Sequence, residues 1–297
     1  MTNERIAVGI DFSAPSLETA RWVAQQFPGT ELVLVHVISV PAPPAIVSSR
    51  YPRRDLMVDT LREGADVRLR SLAGSLQLRT WLEIREGEVA SELAEVASAY
   101  GARFVALGAH GERPRAAGTI GTTAQQVVRT AAIPVMLVLA TERPIGRILV
   151  AVDDSDLSAE SLRWAARIGK RSGAHVTALH VTPAGVMSHA LAAAAVVSGV
   201  PNPTMPHGEA DQPPDRWIEL ARASGVPADR VTSEQAFGDA AMEIVAASER
   251  LGADLVIMGR RRAGGLRRAV LGSVTEAVLG HATCSVLVIP EPETSEG

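Results

Sequence analysis

Two spaced glycine loops and two aspartates carry the chemistry of this sequence. The first loop reads Gly108-Ala-His-Gly111, then nine residues, then Gly121-Thr122-Thr123 where a helical pattern begins. Glycine lets a backbone pass close to an anion and adopt conformations that a Cβ forbids. The free N–H groups of a helix start, with the positive end of its dipole, suit a phosphate at Thr122 and Thr123. The same glycines would equally serve a tight strand-to-helix turn. The loop is not a P-loop, because no Gly-Lys-Ser/Thr follows and the spacing differs. Asp11 and Asp153 each end an apolar run and precede Ser13 and Ser155. Asp and Ser suit helix capping at such a place, and Ser13 and Ser155 are assigned to that role. The carboxylates also fall where an open α/β sheet keeps its crevice, outside the carboxyl ends of its strands, where they can accept from a ribose hydroxyl.

Other reactive side chains form no recognisable constellation. His110, His175, His189, His207 and His281 lack metal-ligand spacing and read as surface or capping residues, so no metal site is expected. No Ser-His-Asp or Cys-His arrangement has a supporting motif, and no catalytic residue is assigned. Glu92 and Glu95 read as a solvated helix face.

The elements that must position the loops occur twice. Residues 5–11 read Arg-Ile-Ala-Val-Gly-Ile-Asp and residues 147–153 read Arg-Ile-Leu-Val-Ala-Val-Asp, each followed by Arg-Trp on an Ala-rich helical pattern, at Arg21-Trp22 and Arg163-Trp164. A repeat of this length is a duplicated domain. The expected domains are 1–140 and 145–297, joined at Thr141-Glu142-Arg143-Pro144. Short β-branched runs alternate with amphipathic segments, the signature of βαβ units and a parallel sheet. Strands are expected near 5–11, 31–37, 79–84, 104–108 and 134–139, then near 147–153, 175–181, 231–236, 255–259 and 285–289. Helices are expected near 14–27, 55–75, 88–100 and 121–131, then near 156–172, 214–224, 239–251 and 273–281. Proline-bearing stretches at 39–54 and 198–214 follow the second strand of each copy and read as lids, partner sites or disorder. The tail from Glu291 is acidic and reads as loose.

Composition narrows the class. The 297 residues are 46% hydrophobic but only 3% aromatic, so aliphatic and Ala packing must build the cores. A net charge of −4 gives no field favouring nucleic acid or an anionic membrane. The single cysteine, Cys284, forms no intrachain disulfide and reads as a buried structural thiol, which fits a cytoplasmic protein. The polar start runs straight into a strand pattern, so no signal peptide is expected, and no apolar run reaches the roughly 20 residues of a membrane span.

The chain resembles the universal stress proteins, in the tandem two-domain form common in actinobacteria. The ATP-binding branch of that family carries Gly-x2-Gly-x9-Gly-Ser/Thr, which Gly108, Gly111, Gly121 and Thr122 match in full. His36-Val37 and His180-Val181, each ending a second strand, add to the likeness. The resemblance implies two doubly wound, Rossmann-like α/β domains, each a five-stranded parallel sheet with helices on both faces. It implies that Gly9, Asp11 and Val37 line the adenine and ribose in the first copy, while Leu107, Gly108, Gly111, Gly121, Thr122 and Thr123 hold the phosphates. The corresponding positions in the second copy are Ala151, Asp153 and Val181, then Met258, Gly259, Gly272, Ser273 and Val274. It also implies a last strand that pairs across a two-fold axis, 134–139 against 285–289 or between the chains of a homodimer.

The second copy departs from the pattern at Arg262, where the second loop glycine would stand. Either Gly264 or Gly265 serves in its place, or the guanidinium pairs with phosphate. The run Arg260, Arg261, Arg262, Arg267 and Arg268 could equally be a solvated basic loop. The reading is a cytoplasmic protein that binds ATP with Mg²⁺ and acts in a stress or dormancy response, with at most slow hydrolysis and neither nucleic acid nor membrane as partner. The rivals are a genuine ATPase or nucleotidyl-transfer enzyme, a nucleotide-free dimerisation module, and a cyclic-nucleotide binder.

Overall fold

The computed structural model describes residues 4–39, 54–111, 120–183, 215–260 and 271–291. The proline-bearing stretches, the arginine run that holds Arg262, and the tail beyond Glu291 lie outside those residues, apart from Ser39, Arg54 and Arg260. The chain divides into two compact units, one built on Met1–Thr141 and the other on Glu142–Leu266 with Val270–Glu291.

The first unit runs β1 (Arg5–Gly9), α1 (Ala14–Gln26), β2 (Glu31–Ile38), α2 (Arg54–Ser75), β3 (Thr80–Glu86), α3 (Val89–Ala99), β4 (Ala102–Gly108), α4 (Thr122–Thr130) and β5 (Val135–Val138). The second runs β6 (Arg147–Val152), α5 (Asp156–Ser172), β7 (His175–Thr182), α6 (Asp215–Ala223), β8 (Val231–Phe237), α7 (Ala240–Arg250), β9 (Leu255–Arg260), α8 (Ser273–His281) and β10 (Ser285–Pro290). A short 3₁₀ turn, Ala228–Arg230, leads into β8. Each strand and helix falls where the residue pattern places it, with ends displaced by one or two residues.

Within each unit every strand pairing is parallel. The order is β3-β2-β1-β4-β5 in the first and β8-β7-β6-β9-β10 in the second. Continuous runs such as Leu32-Val33-Leu34-Val35 and Leu255-Val256-Ile257 are fully buried, as strands covered on both faces must be. The chain winds outward from β1 through β2 to β3, then returns to β4 on the other side of β1. Right-handed crossovers put the outgoing and returning helices on opposite faces. The reversal leaves a switch point between the carboxyl ends of β1 and β4, and of β6 and β9, the place where open α/β sheets bind ligands. Trp22 and Trp164, the echoed tryptophans, anchor α1 and α5 in the two cores at 2% and 7% exposure.

Local signals set the helix boundaries. Ser13 caps α1, its hydroxyl accepting from the Ser16 amide at 3.3 Å, and Pro15 occupies the first turn. Glu88 caps α3 by accepting from the Ala90 and Ser91 amides at 3.1 and 2.8 Å. Gly173 ends α5 in the left-handed region at φ 75°, where a side chain would be strained. Ser155 differs from its assigned role. Its hydroxyl makes no cap bond to α5 and donates to Asp153 instead.

Candidate functional site

At the first switch point a cavity of about 390 Å³ opens at the carboxyl end of the sheet. Gly9, Asp11, Val37, Leu107, Gly108, Gly111, Gly121, Thr122 and Thr123 all line it. Residues some hundred positions apart therefore meet because β1, β2 and β4 are neighbours in the sheet. The glycine loop is cinched at its base, where the Gly121 amide donates to the Ala109 carbonyl at 2.8 Å and the Ala109 amide to the Val138 carbonyl at 3.1 Å. Gly121 is the N-cap of α4 and brings no side-chain cap bond. The first turn of α4 lines the cavity with Thr122 and Thr123, and a helix start of this kind is a ready anion site. Close packing explains two glycines. A Cβ on Gly9 would strike the Leu107 side chain, and one on Gly111 would stand 3.0 Å from Asp11 Oδ2.

Asp11 divides its carboxylate between two tasks. Oδ1 accepts from the Ser13 amide at 2.9 Å and from the Ser13 hydroxyl at 2.5 Å, which fixes the turn into α1. Oδ2 faces Gly111. Desolvation would raise the pKa of this carboxyl, but the hydrogen bonds from Ser13 and Ser16 outweigh it and hold the group below the ordinary aspartate value of 3.8. A carboxyl depressed on folding contributes stability that is complete above that ordinary value and vanishes as the pH falls through the lower, folded one. Asp11→Asn is therefore expected to make acid unfolding less steep below pH 3.8, read by circular dichroism against pH. An unchanged acid limb would contradict it.

The second unit repeats the arrangement in a tighter space. A cavity of about 270 Å³ is lined by Ala151, Asp153, Val181, Met258, Gly259, Gly272, Ser273 and Val274. Asp153 Oδ1 accepts from the Ser155 amide at 3.0 Å, and Gly272 caps α8 with no side-chain bond. One difference is intrinsic to the described residues. Leu157 stands where the first copy has Pro15, lines the cavity, and would meet a Cβ on Gly259 at 2.9 Å. Leu157→Ala is expected to cost about 2 kcal/mol, the low end for a buried leucine because the site borders open space. It should also widen the second cleft, so that any ligand taken there binds more tightly. Thermal melting and titration of the full-length variant check both, and weaker binding would show that the ligand rests on Leu157.

The motif residues are not the whole lining. Val89 and Leu93 of α3, and Ala240 and Ile244 of α7, supply an apolar wall to each cavity, with Ser16 and Ser158 at the turns. The 3.6-residue pattern of α3 and α7 marks those positions as inward-facing but gives no sign that they face a cavity. Leu157 was detectable by reading the copies against each other two residues beyond the Asp-x-Ser turn. Away from the clefts, Cys284 is buried, and desolvation with nearby Asp254 pushes its thiol up to about 11, so it stays protonated and inert. Among the described residues no group of three or more His, Cys, Asp or Glu could hold a metal ion. No described helix is long and apolar enough to cross a membrane.

Comparison with known proteins agrees with this architecture. The model of the universal stress protein family matches twice, over residues 2–138 and 144–290. A universal stress protein of Mycolicibacterium smegmatis is 25% identical over 303 residues, covering 97% of both chains. One from Methanocaldococcus jannaschii is 32% identical over 147 residues, half of this chain and 83% of its own. The crystal structure of a universal stress protein from Archaeoglobus fulgidus superposes with a TM-score of 0.67 at 19% identity, covering 98% of this chain and 99% of its own. With two family matches that together span nearly all of its length, a shared strand order and the same cleft built twice, the chain belongs to the universal stress protein family.

Proposed function

We propose that this chain binds ATP together with Mg²⁺ in its clefts and acts as a cytoplasmic stress or dormancy regulator, not as a turnover enzyme. The observation that supports this most is the meeting of three features in the first cleft. They are a carboxylate oxygen facing the glycine loop, a loop glycine on which a Cβ would stand 3.0 Å from it, and a helix start with no side-chain cap. Together they offer an acceptor for a ribose hydroxyl and donors for phosphate, beside an apolar wall of Val35, Val37, Leu93 and Leu107 that suits a base. The volume of about 390 Å³ lies within the usual range for small-ligand sites. Mg²⁺ binds through phosphates and at most a carboxylate or two, so it would arrive on the nucleotide and neutralise phosphate charge there. Asp11 is the one carboxylate among the described lining residues of the first cleft.

A base that activates water needs a pKa near the working pH. Asp11 is held below the carboxylate range, which supports retention over rapid hydrolysis. The same reading includes a homodimer. The net charge of −4 supports neither nucleic acid nor an anionic membrane as partner. Titration of the full chain with Mg-ATP by calorimetry, followed by phosphate release, tests the proposal. Saturable binding with slow release is expected. Steady turnover of about 1 per second or more would make it an ATPase, and no heat of binding would favour the nucleotide-free module.

A further inference from the structure

We infer that His36 and His180 are positioning residues that aim the cleft aspartates, an inference that rests on the nucleotide reading above. The His36 Nδ1–H donates to the Ile10 carbonyl at 2.7 Å. Donation to a carbonyl requires the proton on Nδ1 and fixes the ring's tautomer and orientation. Ile10 lies past the last residue of β1, and its own amide still donates to Val35 at 2.8 Å. Ile10 is thus pinned by β2 through both its amide and its carbonyl, and that carbonyl belongs to the peptide that leads into Asp11. The residue after Asp11 is held as well. Phe12 sits in the left-handed region at φ 65°, its carbonyl accepts from Arg68 at 3.4 Å, and the Arg68 guanidinium lies 4.0 Å over its ring. The Phe12 ring in turn packs against His36 at 4.6 Å between centroids. A left-handed conformation is strained for a non-glycine residue, and it persists here because these contacts over-determine it.

The second unit reaches the same end with different parts. His180 Nδ1 bonds to the Val152 carbonyl at 3.1 Å, again the residue before the cleft aspartate. Position 154 is Asp, not an aromatic residue, and the ring over the imidazole comes instead from Trp217 of α6, stacked at 5.3 Å. An arginine again lies over that ring: Arg216 is 4.4 Å from its centroid and pairs with Asp154 at 3.0 Å. The order imidazole, aromatic ring, guanidinium recurs although the aromatic residue is drawn from a turn in one unit and a helix in the other. What both units retain is the imidazole and its bond to the peptide that carries the aspartate. A packing role alone would not require that bond twice.

The test separates the hydrogen bond from the bulk of the ring. Asn places its amide nitrogen where histidine has Nδ1, while Gln and Ala do not. Full-length His36→Asn, His36→Gln and His36→Ala are titrated with Mg-ATP and with its 2′-deoxy and 3′-deoxy analogues, and exchange of the Ser13 amide is followed by NMR. Asp11 is placed at the ribose, so loss of aim should cut the preference for ATP over a deoxy analogue about tenfold in the Ala and Gln variants. The Asn variant should keep it. Protection of Ser13, whose amide donates to Asp11 Oδ1, should fall in step. Ala and Gln variants that keep both the preference and the protection would overturn the inference, even if they melt earlier. If the wild-type chain binds no nucleotide, the function proposed above fails, and the Ser13 exchange still decides whether His36 holds the turn.

Discussion

Gly111→Glu is expected to abolish nucleotide binding in the first cleft while leaving the domain folded. The site of substitution lies on a loop at the cleft mouth, outside every strand and helix, so the core has no reason to collapse. The new Cβ would stand 3.0 Å from Asp11 Oδ2, and the new carboxylate would project into the space given to ribose and phosphate. Two like charges about 4 Å apart repel by about 4 kcal/mol at the effective dielectric of a protein surface, which is about a thousandfold in affinity. Calorimetry with Mg-ATP reads the effect in the first cleft, and the second cleft serves as an internal control because Gly111 has no part in it. Unchanged affinity at the first site of a folded variant would show that the loop does not approach the ligand.

Asp11 gives the second large effect, and the division of its two oxygens dictates how to measure it. Asp11→Ala removes both the turn and the ligand acceptor, so affinity and melting temperature should fall together. Asp11→Asn is more telling. Its carbonyl oxygen can keep accepting from Ser13 in the place of Oδ1, while the amide that replaces Oδ2 can only donate. Losing a hydrogen bond to a charged group costs roughly 1.5–3 kcal/mol, or about one to two decades in affinity. The Asn variant should therefore bind ATP ten to a hundred times more weakly, by these values, and melt within a few degrees of wild type. Weaker melting with unchanged affinity would assign Asp11 to the turn alone.

Much of this was legible in the residues. Runs such as Leu32-Val33-Leu34-Val35 admit few structures other than a buried parallel strand, and the repeat of Arg-Ile-x-Val-x-x-Asp announced two copies of one unit. The spacing of Gly108, Gly111 and Gly121 marked the cleft because close backbone approach limits which residues can stand there. Contacts between distant positions were harder to read. Leu157 lines the second cleft and packs on Gly259, a neighbour that only the β6–β9 pairing brings near. Phe12 favours an extended backbone, and its left-handed turn follows from tertiary contacts with His36 and Arg68 that override local preference. Ser155 has the residue type of a cap and donates to its aspartate as Ser13 does, yet unlike Ser13 its oxygen accepts no helix amide. The echoed histidines were visible as a repeat, but the carbonyl that each one holds became visible only in three dimensions.

Native mass spectrometry of the freshly purified chain decides whether the first cleft is a nucleotide site. A population heavier than the bare chain by the mass of an adenine nucleotide with Mg²⁺ is expected, restored by added Mg-ATP after stripping and carrying one nucleotide fewer per chain in Gly111→Glu. The same spectrum reports whether the chain is a homodimer. A wild-type spectrum that stays at the bare-chain mass through saturating Mg-ATP would contradict the account and reduce the glycine loops to turns.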